Sequence, residues 1–146
     1  MPMDVTIHPI EPGSDLLETL ATEARAQGYA FVDRLIDEAR SGQNAFQKAG
    51  ECFCGVFVDG TLVGCGGLNQ DPYVGPTVGR LRHIFILAAY RRRGIAAALV
   101  RELLHRAKPS FATVRLRTPD KNASRFYEAL GLERTDHETA THLIKT

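Results

Sequence analysis

The sequence predicts an α/β protein of the α+β type, with a mixed β-sheet of six or seven strands and helices on both faces. Strand-like and helical segments alternate in a fixed order: strand, two helices, three strands, helix, strand, helix and a last strand. Asp59-Gly60 lies between two apolar runs, which is a strong hairpin signal. The helical segment Ile95–Lys108 separates the strand-like segments Val78–Leu87 and Thr113–Arg117, as in a β-α-β crossover. Hairpins followed by a crossover predict a sheet with both antiparallel and parallel pairs.

The N-terminal third predicts one strand and two helices. Val5–Ile10 is the strand, and Ser14 is expected to cap the first helix. Gly28 and Gly42 are expected to end the two helices. Apolar residues at helical spacing are Leu17, Leu20, Ala21 and Ala24 in the first helix, and Phe31, Leu35, Ile36 and Ala39 in the second.

The rest of the chain predicts the sheet and two further helices. Strands are expected at Cys52–Val58 and Leu62–Leu68, and Asn69–Thr77 is expected to be a loop because it contains two prolines and a glycine. The C-terminal elements are a helix at Asn122–Leu130, a strand at Thr139–Ile144 and a further candidate strand near Leu132–Thr135.

Length and composition predict one globular domain over residues 1–146. Hydrophobic residues make up 44% and charged residues 24%, the balance of a soluble protein. The longest apolar run is Ile84–Tyr90, whereas a membrane helix needs about 20 residues. The N-terminus lacks the pattern of a signal peptide, so a cytoplasmic location and no membrane partner are expected. Three cysteines without a Cys-x-x-Cys pair predict neither a disulfide framework nor a metal site.

Charge is distributed unevenly along the chain. Residues 80–117 contain ten Lys/Arg and one acid, while the remainder contains eight Lys/Arg and sixteen acids. An anionic ligand is therefore expected to bind in the basic stretch. A nucleic-acid-binding module is the alternative, but the chain has no Trp and no basic platform studded with aromatic residues.

The segment Arg91-Arg92-Arg93-Gly94-Ile95-Ala96 joins an apolar strand to the strongest predicted helix. The first amides of a helix have no intrahelical partner and lie at the positive end of its dipole. Gly94 and Ala96 leave room for an approaching anion. This arrangement predicts a phosphate-binding turn made of backbone, with an ordinary basic turn as the alternative.

Two motifs in this order resemble one family. Arg-x-x-Gly-x-Ala at 91–96 resembles the pyrophosphate loop of the GCN5-related N-acetyltransferases, the GNAT superfamily. The segment 122–132, Asn-Ala-Ser-Arg-Phe-Tyr-Glu-Ala-Leu-Gly-Leu, resembles the Asn-x-x-Ala-x-x-Phe-Tyr-x-x-x-Gly-Phe helix of that family, with Phe-Tyr and Gly at the same spacing and Asn two residues closer to them. The element order also fits, so the resemblance covers essentially the whole chain.

This resemblance implies a splayed sheet that binds acetyl-CoA between the fourth and fifth strands. The pantetheine arm would bind to backbone around Phe85, Ile86 and Leu87. Asn122 corresponds to a residue that contacts the cofactor, and its alternative role is a helix N-cap. The amides expected to hold the pyrophosphate are those of Arg92, Arg93, Gly94, Ile95 and Ala96, following Arg91.

Tyr127 corresponds to the tyrosine that the family places near the cofactor sulfur. Its phenol, with an ordinary pKa of about 10, would stay protonated at neutral pH and could donate a proton to the departing thiolate. The alternative is a buried structural tyrosine, because Ala123, Phe126, Tyr127 and Leu130 also form an apolar stripe.

The general base is left open. His83 is a candidate, because it is the nearby side chain that titrates near neutral pH. Glu51, Asp71 and a water molecule are its rivals, and a packed strand histidine is the alternative role for His83 itself. Residues that could line the acceptor site are Tyr29, Phe31, Asp71 and Tyr73, and Arg80 and Arg82 weakly suggest an anionic acceptor.

The expected function is transfer of an acetyl group from acetyl-CoA to a primary amine by direct attack in a ternary complex. The acceptor would be a small molecule or a peptide, and the sequence leaves a homodimer open. Two further alternatives are a non-catalytic acyl-CoA sensor and an acyltransferase that prefers a longer acyl chain.

Overall fold

The computed structural model describes residues 3–146, and these form seven strands and four α-helices. The strands are β1 (Val5–Pro9), β2 (Cys52–Val58), β3 (Thr61–Asp71), β4 (Gly75–Ile86), β5 (Thr113–Leu116), β6 (Glu133–His137) and β7 (Ala140–Lys145). The helices are α1 (Glu18–Ala26), α2 (Phe31–Ser41), α3 (Ile95–Ala107) and α4 (Lys121–Ala129). The predicted order is confirmed, including the additional strand near Leu132–Thr135, which is β6.

The strands form one mixed sheet in the order β1-β2-β3-β4-β5-β7-β6. β4 and β5 pair in parallel, and the other neighbouring pairs are antiparallel. α3 makes the crossover between the two parallel strands. The predicted mixed α/β fold is therefore confirmed.

Helices cover both faces of the sheet. α1 and α2 bury Leu20 and Val32 in a cluster with Phe53 and Phe85 of the sheet. α3 buries Leu99 and its other apolar residues in a second cluster, against which the apolar residues of α4 also pack. The two clusters lie on opposite faces of the strands, because consecutive strand residues point to opposite sides.

Turn chemistry decides where the strands end. Asp59 and Gly60 both have positive φ, +49° and +82°, which is the conformation of a type I′ hairpin turn. The predicted loop Asn69–Thr77 is largely wrong, because β3 and β4 continue into it. The carboxylate of Asp71 accepts the backbone N–H groups of Tyr73 and Val74 and so closes a tight turn.

Glycines in β3 allow close approach from both faces. A Cβ on Gly66 would lie 2.5 Å from Cδ1 of Ile84, and a Cβ on Gly67 would overlap the ring of Phe46. The pairing of β3 with β4 also shifts register at this point, between Cys65 and Gly67. Gly66 and Gly67 therefore mark a bulge in the sheet.

Two features of the described residues bear on earlier expectations. None of the helices within residues 3–146 combines the length and apolar character needed to cross a bilayer. The three cysteines are free thiols, with Cys54 and Cys65 buried in strands and Cys52 half-buried.

Candidate active site

The sheet opens between β4 and β5. The two strands pair only from Val78 to Arg80 on β4, although β4 continues to Ile86. A cavity of about 600 Å³ occupies the opening. It is lined by residues of α2, β4 and α4 and by the segment that follows β5. The cavity runs between the strands and gives access to backbone groups that β5 would otherwise cover.

β4 has a bulge in the part of the strand that no longer pairs with β5. His83 and Ile84 lie between two paired positions of β4, opposite the single residue Gly66 of β3. His83 adopts a positive φ of +63°, a conformation that non-glycine residues adopt infrequently. The backbone is therefore locally distorted beside the opening, beyond the last β4–β5 pair at Arg80.

The end of β4 presents an unpaired edge to the opening. The N–H of Leu87 donates to the carbonyl of Val63 on β3. Because consecutive strand residues direct their backbone groups to opposite edges, Ile86 directs its own groups away from β3, toward the opening. The carbonyl of Ile86 accepts a hydrogen bond of 2.7 Å from Nε of Arg91. Its N–H group stays available to a bound molecule.

The N-terminus of α3 is an open set of backbone donors. Gly94 is the N-cap residue and has a φ of +78°, with no side chain capping the helix. No atom lies within 4 Å of the position that a Cβ on Gly94 would occupy. Ala98 donates the first intrahelical bond, to Gly94, and no described residue accepts a hydrogen bond from the amides of residues 92–97. Free amides at the positive end of a helix dipole are suited to bind an anion.

The three arginines before Gly94 have different surroundings. Arg91 reaches back to α1, where its Nη2 donates to Gln27, and its guanidinium lies over the ring of Phe85. Arg93 lies over the ring of Tyr90. Arg92 is exposed and has a φ of +62°, which turns the chain toward the helix. Arg91 is therefore a structural tether, and Arg92 and Arg93 contribute positive charge at the helix start.

Tyr127 lies in the same opening, on α4. Its ring packs edge-on against Phe126, with ring centroids 5.0 Å apart, and it lines the cavity. Burial raises the pKa of Tyr127 to about 12, so the phenol is protonated at neutral pH. Ser124 and His142 share a hydrogen bond of 2.9 Å, which holds α4 against β7 one turn before Tyr127. Tyr127 is therefore a protonated hydroxyl on a helix that is fixed against the sheet.

Asn122 is not the N-cap of α4, so that alternative is wrong. The cap is Asp120, whose carboxylate accepts the N–H of Asn122 at 3.0 Å. Aspartate serves well as a cap because its carboxylate can satisfy a free amide of the first turn. Asn122 is exposed in that first turn, so its side chain has no capping role.

His83 lies between aromatic rings. It stacks on Phe31 at 6.1 Å between ring centroids and meets Phe46 edge-on at 6.1 Å. Its Nε2 is buried and has no partner among the described residues. Burial, together with the charges of Arg82 and Arg34, lowers the pKa of His83 to about 3. The imidazole is therefore neutral at physiological pH.

The two carboxylates considered as rival bases are both occupied. Glu51 accepts the amide N–H of Gln70 at 2.9 Å and the side chain of Asn69 at 3.0 Å. Asp71 lies within 3.2 Å of Arg80 and 3.1 Å of Arg115, and its side chain is fully buried. Neither carboxylate lines the cavity.

The cavity brings together several residues that the sequence left scattered. Tyr29, Phe31 and Tyr73 line it as expected, whereas Asp71 does not. Sequence patterns missed Arg34 and Arg117, which also line it. Arg34 is one of several charged residues on the exposed side of α2, and no local pattern separates it from them.

Comparison with known proteins agrees with this geometry. The model of the Acetyltransferase (GNAT) family matches residues 18–132. A protein from Exiguobacterium sp. 255-15, described as an acetyltransferase, superposes with a TM-score of 0.84 at 26% identity, covering 98% of this chain and 94% of that one. A search of curated proteins finds no match.

Two archaeal structures share the fold at lower identity. Ard1 from Thermoplasma volcanium has a TM-score of 0.73 at 21% identity, with 97% of each chain covered. The PaiA N-acetyltransferase from Thermoplasma acidophilum, solved in complex with coenzyme A, has a TM-score of 0.68 at 22% identity, covering 99% of this chain and all of that one. The family match spans well over half of the sequence, and the chain belongs to the GNAT family of acetyltransferases.

Proposed function

We propose that the protein, with residues 1–146 acting as a single domain, transfers an acetyl group from acetyl-CoA to a primary amine. One observation carries the proposal: β4 separates from β5 beside a cavity that Tyr127 lines, and the same strand leads on to the free amides at the start of α3. Acetyl-CoA, when bound, supplies an acetyl group activated as a thioester. The family membership supports acetyl transfer, and the cavity supports the residue assignments that follow.

The residues present fit the diphosphate and the pantetheine arm. Amides 92–97 offer unpaired donors at the positive end of a helix, which suits a diphosphate. The strand end Phe85–Leu87 offers the unpaired N–H of Ile86, which suits the amide-containing arm. Asn122 lies exposed at the start of α4, next to Ala123, which lines the cavity, and we assign it a contact with the same ligand.

Tyr127 supplies the proton that the reaction needs. In the transfer, a bond forms between the amine nitrogen and the acetyl carbon while the carbon–sulfur bond breaks. The amine loses one proton, and the departing thiolate takes one up. The Tyr127 hydroxyl, whose pKa is about 12, holds a proton under these conditions and would donate it to the sulfur.

His83 has a restricted part in this scheme. With its pKa near 3, the imidazole binds a proton too weakly to be an efficient base at neutral pH. Its buried Nε2 has no partner among the described residues, and it can accept a hydrogen bond next to the cavity when the proton of the neutral ring lies on Nδ1. We assign it the task of orienting the amine, or a water molecule that carries the amine proton to solvent.

A non-catalytic acyl-CoA sensor is the second candidate function. It is favoured by the lack of a free carboxylate in the cavity, where the one acidic residue, Asp120, caps α4. The nucleic-acid alternative has less support. Arg80 and Arg115 of the basic stretch are buried against Asp71, and Arg91 is held by α1, so the stretch does not form one exposed surface. The cytoplasmic location and the homodimer stay predictions.

The decisive experiment mixes the protein with acetyl-CoA and a panel of primary amines and follows the release of free thiol. We expect amine-dependent release from at least one acceptor. Tight acetyl-CoA binding with no release across a broad panel would support the sensor. Stabilisation by duplex DNA without stabilisation by CoA would contradict both.

A further inference from the structure

We propose that the acceptor amine carries an acidic group, a carboxylate or a phosphate, which is bound by Arg34, Arg82 and Arg117. This inference rests on the proposed acetyl transfer and names its substrate class. The three arginines line the cavity from three different parts of the fold: α2, β4 and the segment after β5.

These three guanidinium groups form no ion pair with any residue that the structure describes. Within residues 3–146, no carboxylate lies within 4.0 Å of the charged nitrogens of Arg34, Arg82 or Arg117. Arg80, the fourth arginine of the cavity, differs because it forms an ion pair of 3.2 Å with Asp71. The cavity is thus lined by three arginines that form no ion pair and by one that does.

The positive charges act on the interior of the cavity as well as on its rim. Arg82 and Arg34 both contribute to the lowered pKa of His83, which lies inside the opening. Two cations from separate elements are therefore close enough to one half-buried ring to repel a proton from it. An acidic group placed near that ring would be attracted by the same field.

The cavity is poor in negative charge that could hold a second amine. Its lining contains a single carboxylate, that of Asp120, and this group already accepts the amide of Asn122. A diamine or polyamine would bring an uncompensated cation next to three arginines. An amine with an acidic group would replace their missing counter-charges and form charge-assisted hydrogen bonds.

The test compares matched amines that differ only in the acidic group. The pairs are 2-aminoethyl phosphate with ethanolamine, glucosamine 6-phosphate with glucosamine, and β-alanine with β-alaninamide, and cadaverine represents diamines. We expect kcat/KM to be at least tenfold higher for the acidic member of at least one pair, and lowest for cadaverine. The phosphate and carboxylate pairs separate the two kinds of acid.

Substitutions locate the effect. Arg82→Gln and Arg117→Gln should each lower kcat/KM for the preferred acidic amine about tenfold or more, since each removes a charge-assisted hydrogen bond. The fall in kcat/KM should be much smaller for the neutral member of the same pair. Arg101→Gln, on the exposed side of α3 and outside the cavity, is the matched control and should change neither.

A binding measurement gives a readout that does not depend on turnover. In protein saturated with CoA, so that the start of α3 is occupied, inorganic phosphate should raise the melting temperature. It should do so less in the double variant R34Q/R117Q than in R101Q, and equal shifts in the two variants would overturn the arginine site.

The inference and the proposed function fail separately. If neutral amines or cadaverine are acetylated as well as the acidic amines, the inference is overturned while acetyl transfer stands. If no amine releases thiol but phosphate binding still depends on Arg34 and Arg117, the acid-binding site stands and the proposed transferase function does not.

Discussion

Arg80 of β4 lies directly opposite Arg115 of β5, at the last paired position before the two strands diverge. Two buried cations can share this position because Oδ2 of Asp71 lies 3.2 Å from Nη1 of Arg80 and 3.1 Å from Nε of Arg115. The Arg115 contact is not aligned as a hydrogen bond, so its attraction is mainly electrostatic. Asp71 therefore fastens three strands together at the mouth of the opening.

Loss of the Asp71 charge should destabilise the fold strongly. Asp71→Asn leaves two buried guanidinium groups without their shared anion, and breaking a buried ion pair costs about 3–5 kcal/mol. For a chain of this length, that corresponds to a fall of roughly 10 °C in melting temperature. The control Asp37→Asn, on the exposed side of α2, should shift it little. Stability is measured by thermal or urea unfolding. Similar losses of stability in both variants would contradict this role of Asp71.

A negative charge at the start of α3 should weaken CoA binding without harming the helix. Ala97 is the third residue of α3, among the free amides. Ala97→Glu places a carboxylate at the positive end of the dipole, where it stabilises a helix by about 0.3–1 kcal/mol, but repels a bound diphosphate. The control Ala97→Gln has the same shape without the charge.

Two measurements on the Ala97 variants should therefore move in opposite directions. By calorimetric titration, we expect the Glu variant to bind CoA roughly tenfold to hundredfold more weakly than the Gln variant, because of the added repulsion. Its melting temperature without ligand should be equal or higher. Acetyl-CoA at about 100 times its dissociation constant should add roughly 2.7 kcal/mol to wild-type stability. Equal CoA affinities in the two variants would place the diphosphate elsewhere.

Removal of the Tyr127 hydroxyl should slow turnover and spare cofactor binding. Tyr127→Phe keeps the ring that packs on Phe126 but removes the proton donor. We expect kcat to fall at least tenfold, while the CoA dissociation constant changes less than about twofold. Because the pKa of Tyr127 is about 12, its ionisation should cause no loss of wild-type activity below about pH 11.

The matched control for Tyr127 lies in the same cavity. Tyr73 lines it with 64% of its surface exposed. Tyr73→Phe removes a hydroxyl to which we assign no proton transfer, so kcat should stay within about twofold of wild type. An equal effect of the two substitutions would refute a specific acid role for Tyr127.

Local patterns predicted the elements that depend on local chemistry. Asp59-Gly60 favours positive φ at two successive residues, and the structure has a type I′ turn there. The Arg91–Ala96 segment predicted a helix start with free amides, because a glycine cap with small neighbours provides no side chain to bind them. Apolar residues at helical spacing predicted which face of each helix is buried, because that spacing is also a local pattern.

Features that depend on residues distant in sequence were beyond such patterns. Asp71 of β3 contacts Arg80 of β4 and Arg115 of β5. The same carboxylate closes the tight turn between β3 and β4, so both strands continue into the predicted loop. The N-cap of α4 is Asp120 instead of Asn122, since the helix begins one residue earlier than predicted. Arg34 and Arg117 line the same cavity only because the fold places α2 beside the opening. Their positions in the sequence therefore do not indicate a shared site.

The burial of His83 should make the protein less stable in mild acid. In the folded state its pKa is about 3, whereas an unfolded histidine titrates near 6.5. As pH falls from about 6.5 toward 3, His83 becomes protonated in the unfolded chain but stays neutral in the folded protein. The free energy of unfolding therefore decreases. The limiting slope is about 1.4 kcal/mol per pH unit, and above pH 7 this contribution no longer changes.

His83→Gln should reduce the fall in melting temperature between pH 7.5 and 5, whereas His105→Gln, at an exposed position on α3, should leave it unchanged. If the His83 variant loses as much stability as wild type over this range, the ring is not held neutral by its burial and by the charges of Arg82 and Arg34.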